Sequence, residues 1–320
     1  MEERTPVPRR PLPGSPLHLS ALSLSLDPTG PGPALDRAWA TLAQQAYERG
    51  VTTFDLSTAR NSARAERILA TAFGTSDRPL VVLLGRSGDD LGPTGPRTGG
   101  TADADSRPAR SLARSLRASA ERLPPSATIV CVWRPDRTQR PVTLPLAVGE
   151  RATEPDTRIH GWALALEDPA LPSADDPADV PTYSGELSLL DLRLVNAFEG
   201  SGARPGAALI ATDPFAGGRL DGSRFSASLA DRSPTAEPPS LRTLHTEFDP
   251  ILALGFLTDG RKRTLAQAAV EFPLSFPWVA SVAVPMPSPE RLGPLLAAAA
   301  GPPLSPGERD RVLGRTGPTG

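Results

Sequence analysis

The chain has 320 residues, of which 39% are hydrophobic, so it can bury a sizeable core. Its 34 basic and 36 acidic residues give a net charge of −2, which argues against a general binder of nucleic acid or of anionic membranes. A single cysteine excludes an internal disulfide, and three scattered histidines leave little for a metal site. Lys262 is the only lysine, so an enzyme that needs a catalytic lysine must use it or do without.

The sequence carries no convincing targeting or membrane segment. Residues 17–26 alternate apolar and small polar side chains, which is typical of a strand rather than of the continuous apolar run of a signal peptide. No stretch approaches the roughly 18 consecutive apolar residues of a membrane span. We therefore expect a cytoplasmic protein that does not enter a membrane.

Strand-like and helix-like segments alternate along the chain. Apolar runs such as 79–84 and 127–133 are typical of strands buried on both faces, and apolar residues recur at helical spacing in 34–50. The predicted strands are 17–26, 52–55, 79–84, 127–133, 158–166, one beginning just after Tyr183, 207–211 and 281–284. The predicted helices are 34–50, 63–73, 109–123, 187–198, 264–272, 289–300 and 306–313, with long irregular loops rich in proline and glycine at 87–108, 167–181 and 213–250.

Repeated strand-then-helix units imply a parallel sheet. About eight such units in a chain of this length fit a (β/α)₈ barrel of the TIM type, which we predict as a single domain over residues 1–320. A doubly wound open sheet is the alternative. It is disfavoured because Ser23, Leu24, Ser25 and Leu26 stand where a glycine-rich dinucleotide-binding turn would follow the first strand.

Several segments resemble the aldo/keto reductase family in order and spacing. RRPLPGSPLHLSALSLSL resembles its opening hairpin and first strand, GVTTFDLS followed by ARAERILATAFG its second strand and helix, and IVCVWRPD its fourth strand. ALIATDPFAGGRLDG is similar to its seventh strand and the turn that follows, and RTLAQAAVEFPLSFPWVASVAVP to its penultimate helix and eighth strand. The resemblance covers nearly the whole chain and implies an aldo/keto-reductase-like barrel.

The family reduces carbonyl compounds with NADPH, using a Tyr that donates a proton, a Lys and an Asp that tune it, and a His that orients the carbonyl. Matched one position at a time, the Asp falls on Asp55, but the Tyr falls on Arg60, the Lys on Arg86 and the His on Trp133. An arginine stays protonated at all physiological pH values and cannot serve as the proton donor. The resemblance therefore implies a catalytically degenerate member.

The positions that hold the cofactor in the family have changed as well. The Ser-Asn pair that holds the nicotinamide amide falls on Ala163 and Leu164, its Gln partner on Ser184, the stacking aromatic on Thr212, and a phosphate-approaching Gly on Met286. Three residues remain as candidate cofactor contacts: Asp213 after the seventh strand, and Ser288 and Arg291 after the eighth. Ser288 is equally the natural N-cap of a helix, and Asp213 a natural turn residue.

We expect Asp55, Arg60 and Arg86 to converge at the carboxyl end of the barrel, either with an Arg86–Asp55 salt bridge or as an anion site for a carboxylate or phosphate. Trp133 then either forms a wall of the ligand pocket or plugs it. Cys131, inside an apolar strand, is expected to be a buried, inert thiol, and residues 261–263 a solvated basic patch.

Three functions follow from these residues. The first is a pseudoenzyme that acts as a small-ligand binder or as the partner subunit of another protein. The second is an enzyme with altered, non-redox chemistry that uses Asp55 or Asp213 with the arginines. The third is an atypical NADPH-dependent oxidoreductase whose catalytic residues the match misplaces. None of the three requires a metal or nucleic acid.

Overall fold

Eight parallel strands form a closed barrel, and a short antiparallel hairpin covers its amino-terminal end. In this computed structural model the described residues are 5–28, 30, 32–87, 106–134, 158–166, 181–200, 203, 205–224, 241–260 and 263–314. The hairpin strands are β1 (Arg9–Pro11) and β2 (His18–Ser20). The barrel strands are β3 (Leu22–Ser25), β4 (Thr53–Leu56), β5 (Leu80–Ser87), β6 (Ala127–Arg134), β7 (Ile159–Ala165), β8 (Thr182–Glu186), β9 (Ala208–Thr212) and β10 (Val279–Pro285). Every neighbouring pair is parallel, and β10 closes the barrel against β3.

Helices connect the strands along the outside of the barrel. They are α1 (Pro33–Tyr47), α2 (Ser62–Phe73), α3 (Ser106–Arg122), α4 (Arg193–Glu199), α5 (Leu241–Leu252), α6 (Leu265–Leu274), α7 (Pro289–Ala300) and α8 (Pro306–Leu313). This order confirms the predicted (β/α)₈ barrel. No helix among the described parts of the chain is long and apolar enough to cross a membrane.

Alternate strand residues face opposite sides of the barrel wall. The side chains inside the barrel form one cluster, and the hairpin contributes two of its leucines: Leu12, Leu19, Val81, Leu83, Val130, Val132, Ala163, Ala165, Ala208, Ile210 and Ala280. The intervening residues, such as Val82, Leu84, Ile129 and Cys131, belong to a larger cluster shared with the helices. A strand residue's place in this alternation decides whether it can reach the carboxyl end of the barrel interior.

The hairpin is fixed to the end of α6 by one side chain. The Arg10 guanidinium donates hydrogen bonds to the carbonyl oxygens of Leu274 (2.7 Å), Phe276 (3.2 Å) and Val279 (2.8 Å). These contacts tie the hairpin to the end of α6, to the turn that follows it and to the start of β10. The amino-terminal end of the barrel is thereby closed, which leaves the carboxyl end for a ligand.

The structure corrects some of the predicted boundaries. The predicted strand 17–26 is divided at Ala21 into β2 and β3. The predicted helix 187–198 begins only at Arg193, because the Ser188 hydroxyl accepts the N–H groups of Leu190 and Asp191 and turns the chain first. Tyr183 lies within β8 rather than before it.

The predicted irregular loops are only partly within the described residues. The stretch 213–250 is not a continuous loop, because helix α5 begins at Leu241 and accommodates Pro250 near its end. The predicted loop 87–108 ends early, because α3 begins at Ser106. Most of this loop, and nearly all of 167–181, lies outside the described residues.

Candidate functional site

A cavity of about 440 Å³ opens at the carboxyl ends of the barrel strands, and we call it the mouth. It is lined by Ser25, Asp27, Trp39, Asp55, Thr58, Glu186, Thr212, Asp213, Ala283, Pro285 and Met286. Four of these residues are carboxylates, and none is basic. The mouth is therefore an acidic pocket at the end of the barrel where such folds place their active sites.

Asp55 is the most deeply buried of the four carboxylates. It extends from β4 with only 1% of its surface exposed. It accepts a hydrogen bond from the Ser25 hydroxyl at 2.9 Å and from the Ser57 backbone N–H at 2.8 Å. Burial raises the pKa of this carboxyl, although the hydrogen bonds from Ser57 and Ser25 oppose the shift.

Glu186 and Asp213 lie at the ends of two adjacent strands. Glu186 is paired in register with Thr212, the residue before Asp213. Glu186 is an exposed residue. Partial desolvation at the strand end raises its pKa, and the negative charges of Asp213 and Asp191 raise it further. Burial also raises the pKa of Asp213, with Asp221 adding to the shift. The two carboxyls therefore favour their protonated forms more than free carboxyls do.

Asp213 also shapes the turn that follows β9. Its backbone has φ of 45°, in the left-handed region that aspartate tolerates better than most residues. Both of its carboxylate oxygens accept a hydrogen bond from the Gly217 N–H, at 2.9 and 2.8 Å. The predicted turn role of Asp213 is thus confirmed, and the same carboxylate lines the mouth.

Arg60 lies at the rim of the mouth rather than in it. Its Nε is 2.9 Å from Asp27 Oδ2, and its backbone N–H donates to Asp27 Oδ1 at 3.1 Å. About 74% of the Arg60 side chain is exposed. Surface pairs of this kind contribute little to stability.

Arg86 lies on the helix side of the barrel wall. Its guanidinium donates to the Gly85 carbonyl at 2.6 Å and to the Ser119 hydroxyl on α3 at 2.5 Å. The Ser119 hydroxyl in turn donates to the fully buried Glu66 on α2 at 2.7 Å, and Glu66 is paired with Arg122. The predicted convergence of Asp55, Arg60 and Arg86 is therefore wrong, and with it both the Arg86–Asp55 salt bridge and the two-arginine anion site.

Trp133 also lies outside the barrel interior. It is 1% exposed and belongs to the cluster shared with the helices, whereas its neighbour Val132 belongs to the inner cluster. In the register of the sheet, Trp133 is opposite Arg86. Trp133 is therefore neither a wall nor a plug of the mouth, because the strand alternation turns its ring away from the cavity.

The inward-facing neighbours supply no replacement. At the end of β5 the inward residue is Gly85, and a Cβ added there would lie 2.0 Å from the Ser57 carbonyl oxygen. No side chain can extend into the mouth from that position without displacing the backbone at Ser57. On β6 the inward residue is Val132. Moving the family's Lys and His positions back by one residue, from Arg86 and Trp133 to Gly85 and Val132, therefore recovers neither catalytic residue.

Neither tyrosine can take the place of the proton donor. The Tyr47 hydroxyl donates to the Pro79 carbonyl at 3.1 Å on the outside of the barrel. Tyr183 is fully buried in the outer layer, with its ring edge-on to Phe198 at 5.9 Å between centroids. His18, His160 and His245 are all exposed and absent from the mouth lining.

Cys131 and Arg263 are also away from the mouth. Cys131 is fully buried in the outer layer, and burial raises the pKa of its thiol to about 12 despite the nearby Arg86 charge, in keeping with the expected inert thiol. Lys262 lies outside the described residues. Arg263 is not a solvated patch residue, because it pairs with Glu271 and Glu308 at 2.6 Å each. Within the described ranges, no group of three or more His, Cys, Asp or Glu residues could hold a metal ion.

The residues at the cofactor positions do not fit a nicotinamide dinucleotide. Ala163 faces the barrel interior and offers only a methyl group, and Leu164 faces the helices. Thr212 and Met286 line the mouth where the family has an aromatic ring and a glycine. These positions supply neither the amide-binding pair nor the aromatic ring that holds a nicotinamide in the family.

The two candidate cofactor-binding residues after the last strand, Ser288 and Arg291, both bond to other side chains of the protein. Ser288 occupies the predicted N-cap position of α7, but its side chain makes no capping hydrogen bond to the helix backbone. Its hydroxyl instead bonds the Glu290 carboxylate, which lowers the pKa of that group. Arg291 Nη2 donates to the Asp221 carbonyl at 2.8 Å and lies 2.9 Å from its Oδ2.

Sequence reasoning missed the acidic character of the mouth. Asp27, Glu186 and Trp39 were not candidates, although each lines the cavity. Glu186 could have been found by extending the sixth barrel strand from Thr182 to the polar residue at its carboxyl end. Asp27 and Trp39 lie on a loop and a helix, where the strand pattern gives no signal.

The fold is that of solved aldo-keto reductases. An aldo-keto reductase from Bacillus halodurans in its holo form matches with a TM-score of 0.66 and 17% identity, over 96% of each chain. A glycerol dehydrogenase from Gluconobacter oxydans matches at 0.61 and 17% identity, over 98% of this chain and 97% of that one. An aldo/keto reductase from Klebsiella pneumoniae in complex with NADP and acetate matches at 0.61 and 16% identity, over 92% and 90%. No protein-family model and no curated protein sequence matches the chain.

Proposed function

We propose that this chain, which has the barrel fold of the aldo-keto reductases, is a degenerate member of that family that has lost NADPH-dependent carbonyl reduction and binds a small ligand in its mouth. The observation that carries the proposal is the make-up of the mouth: among the described residues its lining has four carboxylates and no tyrosine, histidine or lysine. Reduction of a carbonyl requires a proton donor held at the carbonyl oxygen. The family's donor and its two helpers have no counterpart on the inward face of the wall.

The charge of the mouth favours a particular ligand chemistry. Asp55, Glu186 and Asp213 offer carboxylate oxygens as hydrogen-bond acceptors, and the Trp39 ring forms part of the lining. An aromatic face and carboxylates together suit an ammonium group. We therefore assign a small amine or quaternary ammonium compound as the ligand class, in place of the anion that the two arginines had predicted.

The loss of reduction is tested by an absorbance assay for NADPH consumption with a panel of aldehydes and ketones. We expect no consumption above that of the buffer. Consumption that depends on the protein and disappears in Asp55→Asn would show that the mouth still reduces carbonyl groups. The proposed loss of function would then be wrong.

The ligand class is tested by thermal unfolding with choline and with its neutral carbon isostere, 3,3-dimethylbutan-1-ol. Choline should raise the melting temperature of the wild type and raise that of Glu186→Gln less, whereas the isostere should do neither. Asp310→Asn removes a carboxylate that is 68% exposed and absent from the mouth lining, and should behave as wild type. Equal effects of choline and its isostere would overturn the assignment of the ligand class without touching the loss of reduction.

One observation favours a second function, non-redox acid–base catalysis. Glu186 and Asp213 lie on neighbouring strands, and desolvation together with nearby negative charges raises the pKa of each. Carboxyls tuned in this way serve as general acids in other enzymes. In that case the wild type would convert the ligand and saturating ligand with Glu186→Gln would be recovered unchanged, whereas a pure binding protein would convert it in neither form.

A further inference from the structure

A second pocket, of about 300 Å³, lies between the turn after β9 and the first turns of α6 and α7. Its lining residues are Leu220, Asp221, Thr264, Leu265, Ala266, Gln267, Glu290, Arg291, Pro294 and Leu295. Two helices begin at this pocket, and helix starts are natural binding sites for phosphate groups. A phosphate group could bind here only if the backbone N–H groups of these two helix starts were free to donate to it.

The start of α6 is closed by its own side chains. The Thr264 hydroxyl accepts the Gln267 N–H at 3.2 Å, and the Gln267 side chain accepts the Thr264 N–H at 2.9 Å. This reciprocal capping box occupies two of the backbone donors that a phosphate would otherwise use. An anion would have to displace both bonds.

The start of α7 is closed in a different way. Pro289, in its first turn, has no N–H to donate. Glu290 follows it and adds a negative charge at the place where a phosphate would approach. Both helix starts at this pocket are therefore unfavourable to an anion.

The one cation among the residues lining the pocket is held by a carboxylate of the protein itself. Arg291 binds Asp221 through both its backbone carbonyl and its carboxylate, at 2.8 and 2.9 Å. The Asp221 side chain is only 8% exposed, so this ion pair is shielded on the carboxylate side. With Asp221 and Glu290 against Arg291, the charges of the lining sum to −1.

We infer that the Asp221–Arg291 pair is an internal latch that excludes phosphate groups from this pocket, so that the chain does not bind NADP(H). The latch also joins the turn after β9 to α7. The inference extends the proposed loss of redox activity to the binding of the cofactor. It rests on that proposal only in taking NADP(H) as the ligand to be tested. A carboxylate on the chain satisfies the guanidinium that a phosphate of a dinucleotide would require.

The test is a titration of NADPH, followed by its fluorescence, with wild type, Asp221→Asn and the control Asp310→Asn. We expect no saturable binding to the wild type or to Asp310→Asn, and at least a tenfold gain in affinity for Asp221→Asn. Arg291→Met in the Asp221→Asn background should remove the gain. Inorganic pyrophosphate should compete with NADPH for Asp221→Asn alone.

Saturable NADPH binding by the wild type would overturn the inference, and so would a folded Asp221→Asn variant that gains no affinity. If Asp221→Asn does not fold, Asp221→Ser, which also removes the carboxylate, takes its place, and a folded Asp221→Ser that gains no affinity would equally overturn the inference. Binding of NADPH without carbonyl reduction would remove the latch but leave the proposed loss of reduction intact. The two failures are therefore distinguishable.

Discussion

At the scale of single residues, Gly85 controls which side chains can reach the mouth. It is the last inward-facing position of β5 before Ser87, and the Ser57 carbonyl oxygen occupies the place that a Cβ at position 85 would take. The chain after β4 therefore occupies the space into which a longer residue at position 85 would extend. A cation at position 85 therefore cannot be built on this backbone without moving the chain at Ser57.

Replacing Gly85 by alanine should destabilise the protein strongly. The added Cβ would meet the Ser57 carbonyl oxygen at 2.0 Å and its carbon at 2.8 Å, so the backbone must move. We expect the free energy of unfolding, measured by chemical denaturation, to fall by about 2–3 kcal/mol. Gly307→Ala is the control, because nothing lies within 4 Å of its added Cβ; there we expect a gain of up to about 1 kcal/mol from helix propensity. Equal effects at both positions would contradict the close packing at Gly85.

The direction of single side chains is also where sequence reasoning was weakest. Strands β5 and β6 are apolar on both faces, so their sequences carry no alternation that distinguishes inside from outside. Matching positions along the chain assigned Arg86 and Trp133 to the mouth. The sheet register puts both on the helix side, and a shift of one residue reverses the face of every side chain.

At the scale of elements, Arg263 joins three parts of the outer layer. Its guanidinium binds Glu271 on α6, Glu308 on α8 and the carbonyl of Leu257. The Arg263 and Glu308 side chains are only 14% and 10% exposed. Helix α8 is thus held on the barrel by a largely buried ion pair, which no pattern in the sequence indicated.

Glu308→Gln should weaken the docking of α8 in a pH-dependent way. Burial opposes ionisation of Glu308, but hydrogen bonds from Ser305 and Arg263 and the Arg263 charge outweigh it and lower its pKa to about 2. Because the unfolded chain binds the proton first, this group's stabilisation is present above the ordinary glutamate pKa and is lost as the pH falls toward 2. We expect the variant to be less stable by about 2 kcal/mol at pH 7.

The measurement is the free energy of unfolding of wild type and variant by urea denaturation across acidic pH values. The difference between the two should shrink as the pH falls below the ordinary glutamate pKa. Glu121→Gln, an exposed change on α3, should alter stability little at pH 7. A difference between wild type and Glu308→Gln that stays constant with pH would show that the Glu308 charge does not hold the helix.

The elements themselves were the most predictable level. Helices α7 and α8 begin and end at the predicted residues, because Ser288-Pro289 and Ser305-Pro306 mark both starts clearly. The order of strands and helices fixed the barrel for the same reason, since repeated units leave few arrangements. Contacts between distant elements, such as those of Arg263 and Arg291, depend on packing that a single sequence does not contain.

At the scale of the whole molecule, the two ends of the barrel have different roles. The hairpin closes the amino-terminal end through Leu12, Leu19 and Arg10, and the mouth opens at the other end with its carboxylates. On the helix side of the barrel wall there are two buried clusters of polar contacts, one around Glu66 and one around Arg263. The wall places Arg86 and Trp133 on its helix side, so we expect that three point changes at the matched positions do not build a reductase site in the mouth.

The triple variant Arg60→Tyr, Arg86→Lys, Trp133→His restores the family's residue types at the matched positions. We expect no NADPH-dependent carbonyl reduction, because the new Lys and His would lie on the helix side of the wall, away from the mouth. Trp133→His should also lower the free energy of unfolding by about 3 kcal/mol, since it empties a fully buried position, whereas the exposed Arg60→Tyr alone should change stability little.

Both effects are measurable on the same samples, by absorbance at the NADPH band and by chemical denaturation. A folded triple variant with measurable, protein-dependent carbonyl reduction would mean that side chains at the matched positions can reach the mouth. The assignment of positions 86 and 133 to the helix side would then be wrong. A folded but inactive variant would support the assignment of both side chains to the helix side. Arg86 and Trp133 face the helices because each comes one residue after an inward-facing neighbour, Gly85 or Val132, and successive strand residues alternate between the two faces.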